Sequence, residues 1–361
     1  MQAIFLITRN CNFACDYCYA GEKQALDMAP ELIASTAAWL LGRGDETLGI
    51  GFCGGEPLLR FDLVRQAVAE LERRAGPDRT IHFSIATNGS LIDDEAADFF
   101  ERYGFLIQVS LDGNRDMQAV HRRSREGGET FESSAAGVRR LLARAVAVDV
   151  VTVVTPRNLD HLPASFEFFT RDLQAPSLCL NVDFLAPWTE GDRRRLGEVF
   201  RALASRVAEG YRRDRPVSLN LFDEKIRTHI EGRFRAEDHC PFGKGKIAID
   251  VNGDIYPCDR IARAGACRDL VIGRAGAGID DGRAAGLIRR LRSPQEKCLG
   301  CEAAGRCRSW CGCVNTETTG SLGASSDMVC FVEKLVIACA DEMAGTLFEE
   351  QNPWFLSRFY G

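Results

Sequence analysis

Residues 3–19 read AIFLITRNCNFACDYCY: an apolar run that passes, within three residues, into a loop carrying Cys11, Cys15 and Cys18. The run 3–8 reads as a strand, and the same signal recurs at 48–53, 80–86, 105–110, 149–155 and 177–184. Amphipathic stretches fill the gaps at 30–41, 61–74, 93–103, 131–145 and 160–173. Strand–helix alternation of this kind predicts an α/β fold of parallel βα units with right-handed crossovers. Ligands of such folds bind in the loops at the carboxyl ends of the strands. The cysteine loop sits in that position.

Past residue 190 the alternation stops. A charged helix-like stretch runs to about residue 212, followed from residue 240 by a short hairpin, GKIAIDVNGDIYPC, in which Asn252 and Gly253 supply the positive φ angles of a tight turn. A Gly- and Ala-rich connector at 263–283, a dense cysteine region and a final helix at 327–348 complete the chain. At 361 residues, 45% hydrophobic and 27% charged, the chain can bury a large core plus a small appended domain. No apolar run approaches the roughly 20 residues that span a bilayer, and the first residues lack a signal-peptide layout, so the expectation is a cytoplasmic protein with no membrane partner. A net charge of -6 argues against a nucleic-acid partner.

Fifteen cysteines are the compositional outlier, with three at 11, 15 and 18 and eight between 258 and 330. Clustered thiols in a cytosolic chain point to metal, and soft thiolates select zinc or iron–sulfur clusters. Three thiolates can hold three irons of a [4Fe–4S] cube and leave the fourth open to a small chelating molecule. The alternative is zinc, which takes four ligands in a closed site, and no histidine lies near Cys11–Cys18 in sequence.

The combination of CNFACDYCY at 11–19 with Gly54, Gly55, Glu56 and Pro57 after the second strand resembles the radical S-adenosylmethionine superfamily. That resemblance implies a partial (β/α)6 TIM-like barrel and reductive cleavage of S-adenosylmethionine to a 5′-deoxyadenosyl radical. By the same resemblance the cofactor's amino group meets the GGEP turn, where glycines allow close approach and Glu56 offsets positive charge. Thr87 and Asn88 of a TNG turn and Ser110 and Asp112 of an SLDG turn match further positions of the family pattern, the latter pair resembling ribose contacts. Arg125 resembles an arginine that pairs with the cofactor carboxylate, and Tyr17 an aromatic beside the adenine.

Cys240, Cys258, Cys298, Cys301, Cys307, Cys311 and Cys330 resemble in order and spacing the SPASM extension of peptide and sulfatase maturases. The resemblance implies two auxiliary [4Fe–4S] clusters, three in all. Cys298, Cys301, Cys307 and Cys330 would complete one of them. Cys240, Cys258 and Cys311 would hold the other, with position 246, a cysteine in some relatives, occupied by Lys. Cys267 or Cys313 could supply the missing ligand, or an iron could stay open; zinc ribbons are the bland alternative. Cys53, Cys179 and Cys339 read as small buried hydrophobes. Asp259 resembles a catalytic aspartate of anaerobic sulfatase maturases, with Asp183, Glu190 and Glu224 as weaker candidates for a base. The expected division is a barrel at 1–190, a helical bridge at 191–238, the SPASM domain at 239–331 and a helical tail at 332–361.

The implied function is oxidative modification of a ribosomally made peptide by a thioether or carbon–carbon crosslink. The alternatives are a formylglycine-forming anaerobic sulfatase maturase and a non-catalytic zinc scaffold. Implied partners are a peptide or protein substrate and an electron donor such as flavodoxin or ferredoxin. With its first cluster cysteine at residue 11 the chain leaves no room for a recognition module ahead of the barrel, so a leader peptide would need a separate recognition protein or the enzyme's own surface.

Overall fold

The computed structural model describes residues 1–76, 79–262 and 268–361. In chain order the strands are β1 (Gln2–Thr8), β2 (Thr47–Gly54), β3 (Thr80–Thr87), β4 (Leu106–Ser110), β5 (Ala147–Val154) and β6 (Ser177–Val182). They continue with β7 (Ser218–Leu219), β8 (Lys246–Ile249), β9 (Asp254–Tyr256), β10 (Gly273–Arg274) and β11 (Gly278–Ile279). The chain forms two compact units. The first gathers Met1–Ser110, His121–Val148 and Cys240–Leu291; the second gathers Leu111–Val120, Asp149–His239 and Arg292–Gly361.

In the first unit β1 has parallel neighbours on both sides, Ile4 pairing with Gly51 of β2 and with Ala248 of β8. The β2–β3 and β3–β4 pairs are parallel, and β8 folds back antiparallel into β9. Every residue of β1 after Gln2 is buried, as a strand covered on both faces requires. Helix Phe61–Ala75 buries Leu63, Val64, Ala67, Val68 and Leu71, one stripe at helical spacing. Aromatic rings fill the space beside β3 and β4, with Phe83 and Phe105 stacked at 5.3 Å and Phe100 5.1 Å from Phe105. This packing fixes where the β1, β2 and β3 loops emerge.

The β8–β9 hairpin differs from its expected turn. Asp250 and Asp254 close a three-residue loop, their backbone bond being 3.0 Å, and only Gly253 (φ 87°) takes a left-handed conformation. Asn252 instead bonds Asp254 through its side chain, accepting from its N–H at 3.0 Å and donating to its carboxylate at 2.9 Å. With those contacts available the residue has no need of positive φ.

In the second unit β5, β6 and β7 are parallel, with Val150 opposite Leu178 and Ser177 opposite Ser218. The stretch 160–173 is not one helix: a 3-10 turn (Leu159–His161), an α-helix (Leu162–Glu167) and a π turn (Phe168–Asp172) follow one another. The wider last turn lets consecutive Phe168 and Phe169 both point inward. The β/α rhythm also runs one step longer than the sequence predicts, through β7 and helix Asn220–Glu231. A two-residue strand is too short to show a period. Long helices Glu190–Arg212 and Asp327–Glu349 start at the caps Thr189 and Ser326. Among the described residues no helix is long and apolar enough to cross a membrane.

A buried ion pair ties two of these helices to the cysteine-rich loop. Lys225 Nζ lies 2.6 Å from Glu333 and also donates to the Arg306 carbonyl at 2.8 Å, while Glu333 accepts the Arg308 N–H at 2.8 Å. Side-chain exposure is 4% for Lys225 and 11% for Glu333, so removing one charge strands the other. Lys225→Met should therefore cost about 3–5 kcal/mol of stability, whereas Lys225→Met with Glu333→Leu should recover most of it. Thermal or urea unfolding of the three variants measures both effects.

Candidate functional site

The site is built on the loop after β1. Cys11 is buried and Cys15 and Cys18 are half-buried, all three as free thiols. Backbone bonds to the segment 121–125 hold the loop: the Ala14 N–H donates to the Arg123 carbonyl at 2.8 Å and the Arg125 N–H to that of Asn12 at 3.0 Å. Below the cysteines the chain returns antiparallel to β1, with the Arg9 N–H on the Leu26 carbonyl at 2.8 Å and the Thr8 hydroxyl on Asp27 at 2.6 Å. Each sulfur meets a nitrogen donor. The Phe13 N–H reaches Cys11 Sγ at 3.4 Å, Arg122 Nη1 reaches Cys15 Sγ at 3.9 Å, and Lys23 Nζ reaches Cys18 Sγ at 2.8 Å.

Three free thiols in one loop, each facing an N–H or cationic donor, fit the thiolate set of an open [4Fe–4S] cube. Burial pushes the Cys11 thiol up from its ordinary value, so an unmetallated loop keeps it protonated. Among the described residues no three or more His, Cys, Asp or Glu side chains converge on the position of a single metal ion. A cube asks for something else, because each thiolate takes a separate iron.

The GGEP turn at the end of β2 packs directly on this loop. The Gly55 and Glu56 N–H groups donate to the carbonyls of Thr8 and Asn10, each at 2.8 Å. A Cβ on Gly54 would lie 2.2 Å from the Thr8 carbonyl oxygen, and one on Gly55 would lie 2.0 Å from that of Asn10. Gly54 also sits at φ 137°. Only glycine fits either position.

Glu56 is fully buried and bound by the protein itself: Oε1 accepts from the Thr87 hydroxyl at 2.7 Å and the Leu58 N–H at 3.0 Å, and Oε2 from the Asn88 N–H at 2.7 Å. Burial raises its carboxyl to about 7 against the pull of those three donors. The carboxyl therefore joins the GGEP and TNG turns. Asn88 in turn donates to Asn12 Oδ1 at 2.8 Å, which brings the TNG turn onto the cysteine loop, and buried Pro57 opens the following 3-10 turn.

The remaining cofactor candidates fall in different settings. Ser110 is half-buried at the end of β4 in the first unit. Asp112, in the second, is buried with its carboxylate on the Val153 N–H at 3.1 Å. Tyr17 lies beside the loop with its ring 5.1 Å from that of His121 and under the Arg122 guanidinium at 5.3 Å. Arg125 contributes its backbone to the loop and exposes its side chain. Buried Arg122, three residues earlier, is the arginine on the cysteine loop. A run of sequence HRRSR cannot show which arginine turns inward.

Asp259 follows Cys258 at the end of the β8–β9 hairpin and pairs with Lys246 at 2.8 Å. It shares a cleft with Gly54, Gly55, Thr8, Arg9, Tyr19 and Cys53. Arg9 is itself tied to buried Asp250, and the Arg260 guanidinium lies over the Tyr19 ring at 5.5 Å. Sequence reading assigned Cys53 to packing; it is buried, as expected, but lines this cleft, and burial beside Asp259 pushes its thiol well up. Cys240 and Cys258 both lie in the field of the Lys246 ammonium, which occupies the position of the absent cysteine. Cys267 lies outside the described residues.

In the second unit the 3-10 turn Glu296–Cys298 carries Cys298, and the Cys301 N–H donates to its carbonyl at 3.2 Å. Cys298 feels the charges of Cys301 and Cys330, and buried Cys307 that of Cys330. Burial, then Glu333, pushes the Cys307 thiol up to about 12. Cys311 caps helix Gly312–Thr319, in which Cys313 is buried; Cys339 is buried as expected and Cys179 half-buried. Of the weaker carboxylates, Glu224 is paired to Arg308, Asp183 accepts the Leu185 N–H at 3.0 Å, and Glu190 is exposed in a first helical turn.

The Radical SAM superfamily profile matches residues 5–169, the stretch holding the cysteine loop and the GGEP, TNG and SLDG turns. The cysteine-type anaerobic sulfatase-maturating enzyme of Clostridium novyi is 22% identical over 69% of this chain and 71% of its own length. The serine-type enzyme of Bacteroides thetaiotaomicron is 26% identical over 69% of this chain and 66% of its own length. Among solved structures, native anSMEcpe with bound AdoMet superposes with a TM-score of 0.82 at 19% identity, covering 97% of this chain and 100% of that one. Streptococcus suis SuiB bound to precursor peptide SuiA superposes at 0.63 and 18% identity, covering 91% and 75%. These likenesses give the α/β partial-barrel fold with its cysteine-rich C-terminal region. With the thiol triad packed on the GGEP turn, the profile match identifies the chain as a radical SAM enzyme, similar in sequence to the anaerobic sulfatase-maturating enzymes and in fold to the SuiB peptide maturase.

Proposed function

We propose that the chain oxidatively modifies a ribosomally made peptide, forming a thioether or carbon–carbon crosslink. The supporting observation is the shared cleft of Asp259, Gly54 and Gly55. A peptide carbon held there has the cofactor turn on one wall and a fixed carboxylate on the other. Oxidation removes a hydrogen atom, an electron and a proton. Bound S-adenosylmethionine and [4Fe–4S] clusters supply the atom abstraction and the electron sink, and the chain's residues supply placement, exclusion of water and the proton acceptor. Lys246 orients Asp259 for that last role at 2.8 Å.

In this reading Cys11, Cys15 and Cys18 hold the S-adenosylmethionine-binding cluster. Cys298, Cys301, Cys307 and Cys330 hold one auxiliary cluster, and Cys240, Cys258 and Cys311 the other. The barrel, bridge, SPASM domain and tail follow the divisions given above, and a flavodoxin or ferredoxin is the electron source. A second reading, formylglycine formation on a sulfatase, is favoured by the sulfatase-maturating relatives matched over about two-thirds of this chain. Peptides are the bound partners in the relevant structures of both groups, Cp18Cys in anSMEcpe and SuiA in SuiB.

Anaerobic reconstitution with a cysteine-containing precursor peptide and, separately, a sulfatase-motif peptide, followed by mass spectrometry, separates the readings. Loss of two hydrogens per event in the precursor supports crosslinking. Exchange of a cysteine thiol for an aldehyde in the sulfatase peptide supports the second reading, and an unchanged mass in every peptide tried counts against both. Cys307→Ser should cut peptide modification by tenfold or more (about 1.4 kcal/mol in barrier) while leaving 5′-deoxyadenosine formation within about twofold.

A further inference from the structure

We propose that Lys23 is a positioning residue for electron entry, whose ammonium on Cys18 raises the reduction potential of the cluster held by Cys11, Cys15 and Cys18. The inference rests on that loop holding the radical SAM cluster. Lys23 Nζ lies 2.8 Å from Cys18 Sγ, and its charge also reaches Cys11. It is not a loose surface lysine. It is half-buried, in a strap bound at one end to the cysteine loop, where the Gly21 N–H donates to the Cys18 carbonyl at 3.4 Å, and at the other to Arg9 just past β1, where the Gln24 N–H donates to its carbonyl at 3.3 Å. Asp27, at the far end, is held by the Thr8 hydroxyl at 2.6 Å and by Arg60. The strap therefore delivers one fixed positive charge to one ligand sulfur.

Reduction adds a negative charge to a cluster whose ligands are already anionic. A cation at hydrogen-bond distance from a ligand sulfur stabilises the reduced form more than the oxidised one, and hydrogen bonds to the sulfurs are among the factors that set iron–sulfur potentials. Lys23 thus makes the electron easier to deliver. Arg122, at 3.9 Å from Cys15 Sγ, is the second cation on the loop, but its guanidinium is shared with the Tyr17 ring. Lys23 is the cleaner test.

Potentiometric titration of the reconstituted protein, read on the reduced-cluster resonance that changes when S-adenosylmethionine is added, measures the effect directly. Lys23→Met and Lys23→Gln should shift the midpoint to lower potential with iron and sulfide contents intact, and Lys23→Arg should stay nearer the wild type. Cleavage of S-adenosylmethionine by the uncharged variants should fall several-fold with a weak donor and recover with a stronger reductant, at unchanged affinity for S-adenosylmethionine. A wild-type midpoint in both uncharged variants overturns the proposal, as does loss of iron from both, which would make Lys23 a folding contact. Absence of an S-adenosylmethionine-responsive resonance in the wild type removes the underlying ligand assignment instead.

Discussion

Cys15→Ala should reduce formation of 5′-deoxyadenosine from S-adenosylmethionine to background. Cys15 sits mid-loop, and its carbonyl accepts the Cys18 N–H at 3.2 Å, so alanine leaves the backbone path intact and takes away only the sulfur. Two thiolates cannot hold a cube with a single open iron. The variant should keep its secondary structure and melting behaviour and lose about one cluster's worth of iron and sulfide relative to the wild type. Cleavage at the wild-type rate in an anaerobically reconstituted Cys15→Ala preparation would falsify the assignment of this loop as the radical-forming site.

Gly55→Ala should give the second large effect by a different route. The new methyl group would lie 2.0 Å from the Asn10 carbonyl oxygen, and the nearest atoms are all backbone of Arg9 and Asn10, so no flexible side chain can yield. Overpacking of this kind typically costs about 1–3 kcal/mol, and a backbone clash belongs at the upper end. The strain falls on the Gly55 and Glu56 bonds to Thr8 and Asn10, directly ahead of Cys11. Both stability and iron loading should therefore fall, where Cys15→Ala lowers loading alone. A Gly55→Ala protein with normal melting and full iron content would show that the turn can move away from the loop at little expense.

Much of this site was legible in the sequence because its parts are local. The thiol triad, GGEP and TNG are contiguous motifs, each placed after a strand by hydrophobic pattern, and the structure puts all three in contact. What contacts them was not legible. Lys23 and Arg122 reach the sulfurs through a returning strap and a crossing segment, and neither residue type carries a spacing signal. Glu56 reads in sequence as a carboxylate facing a ligand, whereas its oxygens are bound by Thr87, Asn88 and Leu58, a partner set that exists only after β2 and β3 pair. The fold shows the same divide. Strands with long apolar runs were visible to within two residues, while β7 with its following helix and the π turn at Phe168–Asp172 were missed. Two residues cannot establish a period, and a π turn is chosen by the packing of Phe168 and Phe169.

Under the ligand assignment proposed above, the Lys225–Glu333 clasp ties the inventory of inorganic sulfide to heat tolerance. Glu333 receives the N–H of the residue after Cys307 and lies three positions beyond Cys330 on one helix, so two anchoring thiols share a mount with the pair. Stripping the proposed auxiliary centre with a chelator should then loosen helices Asn220–Glu231 and Asp327–Glu349 together, and a scan of denaturation against residual iron should trace one cooperative curve in place of two.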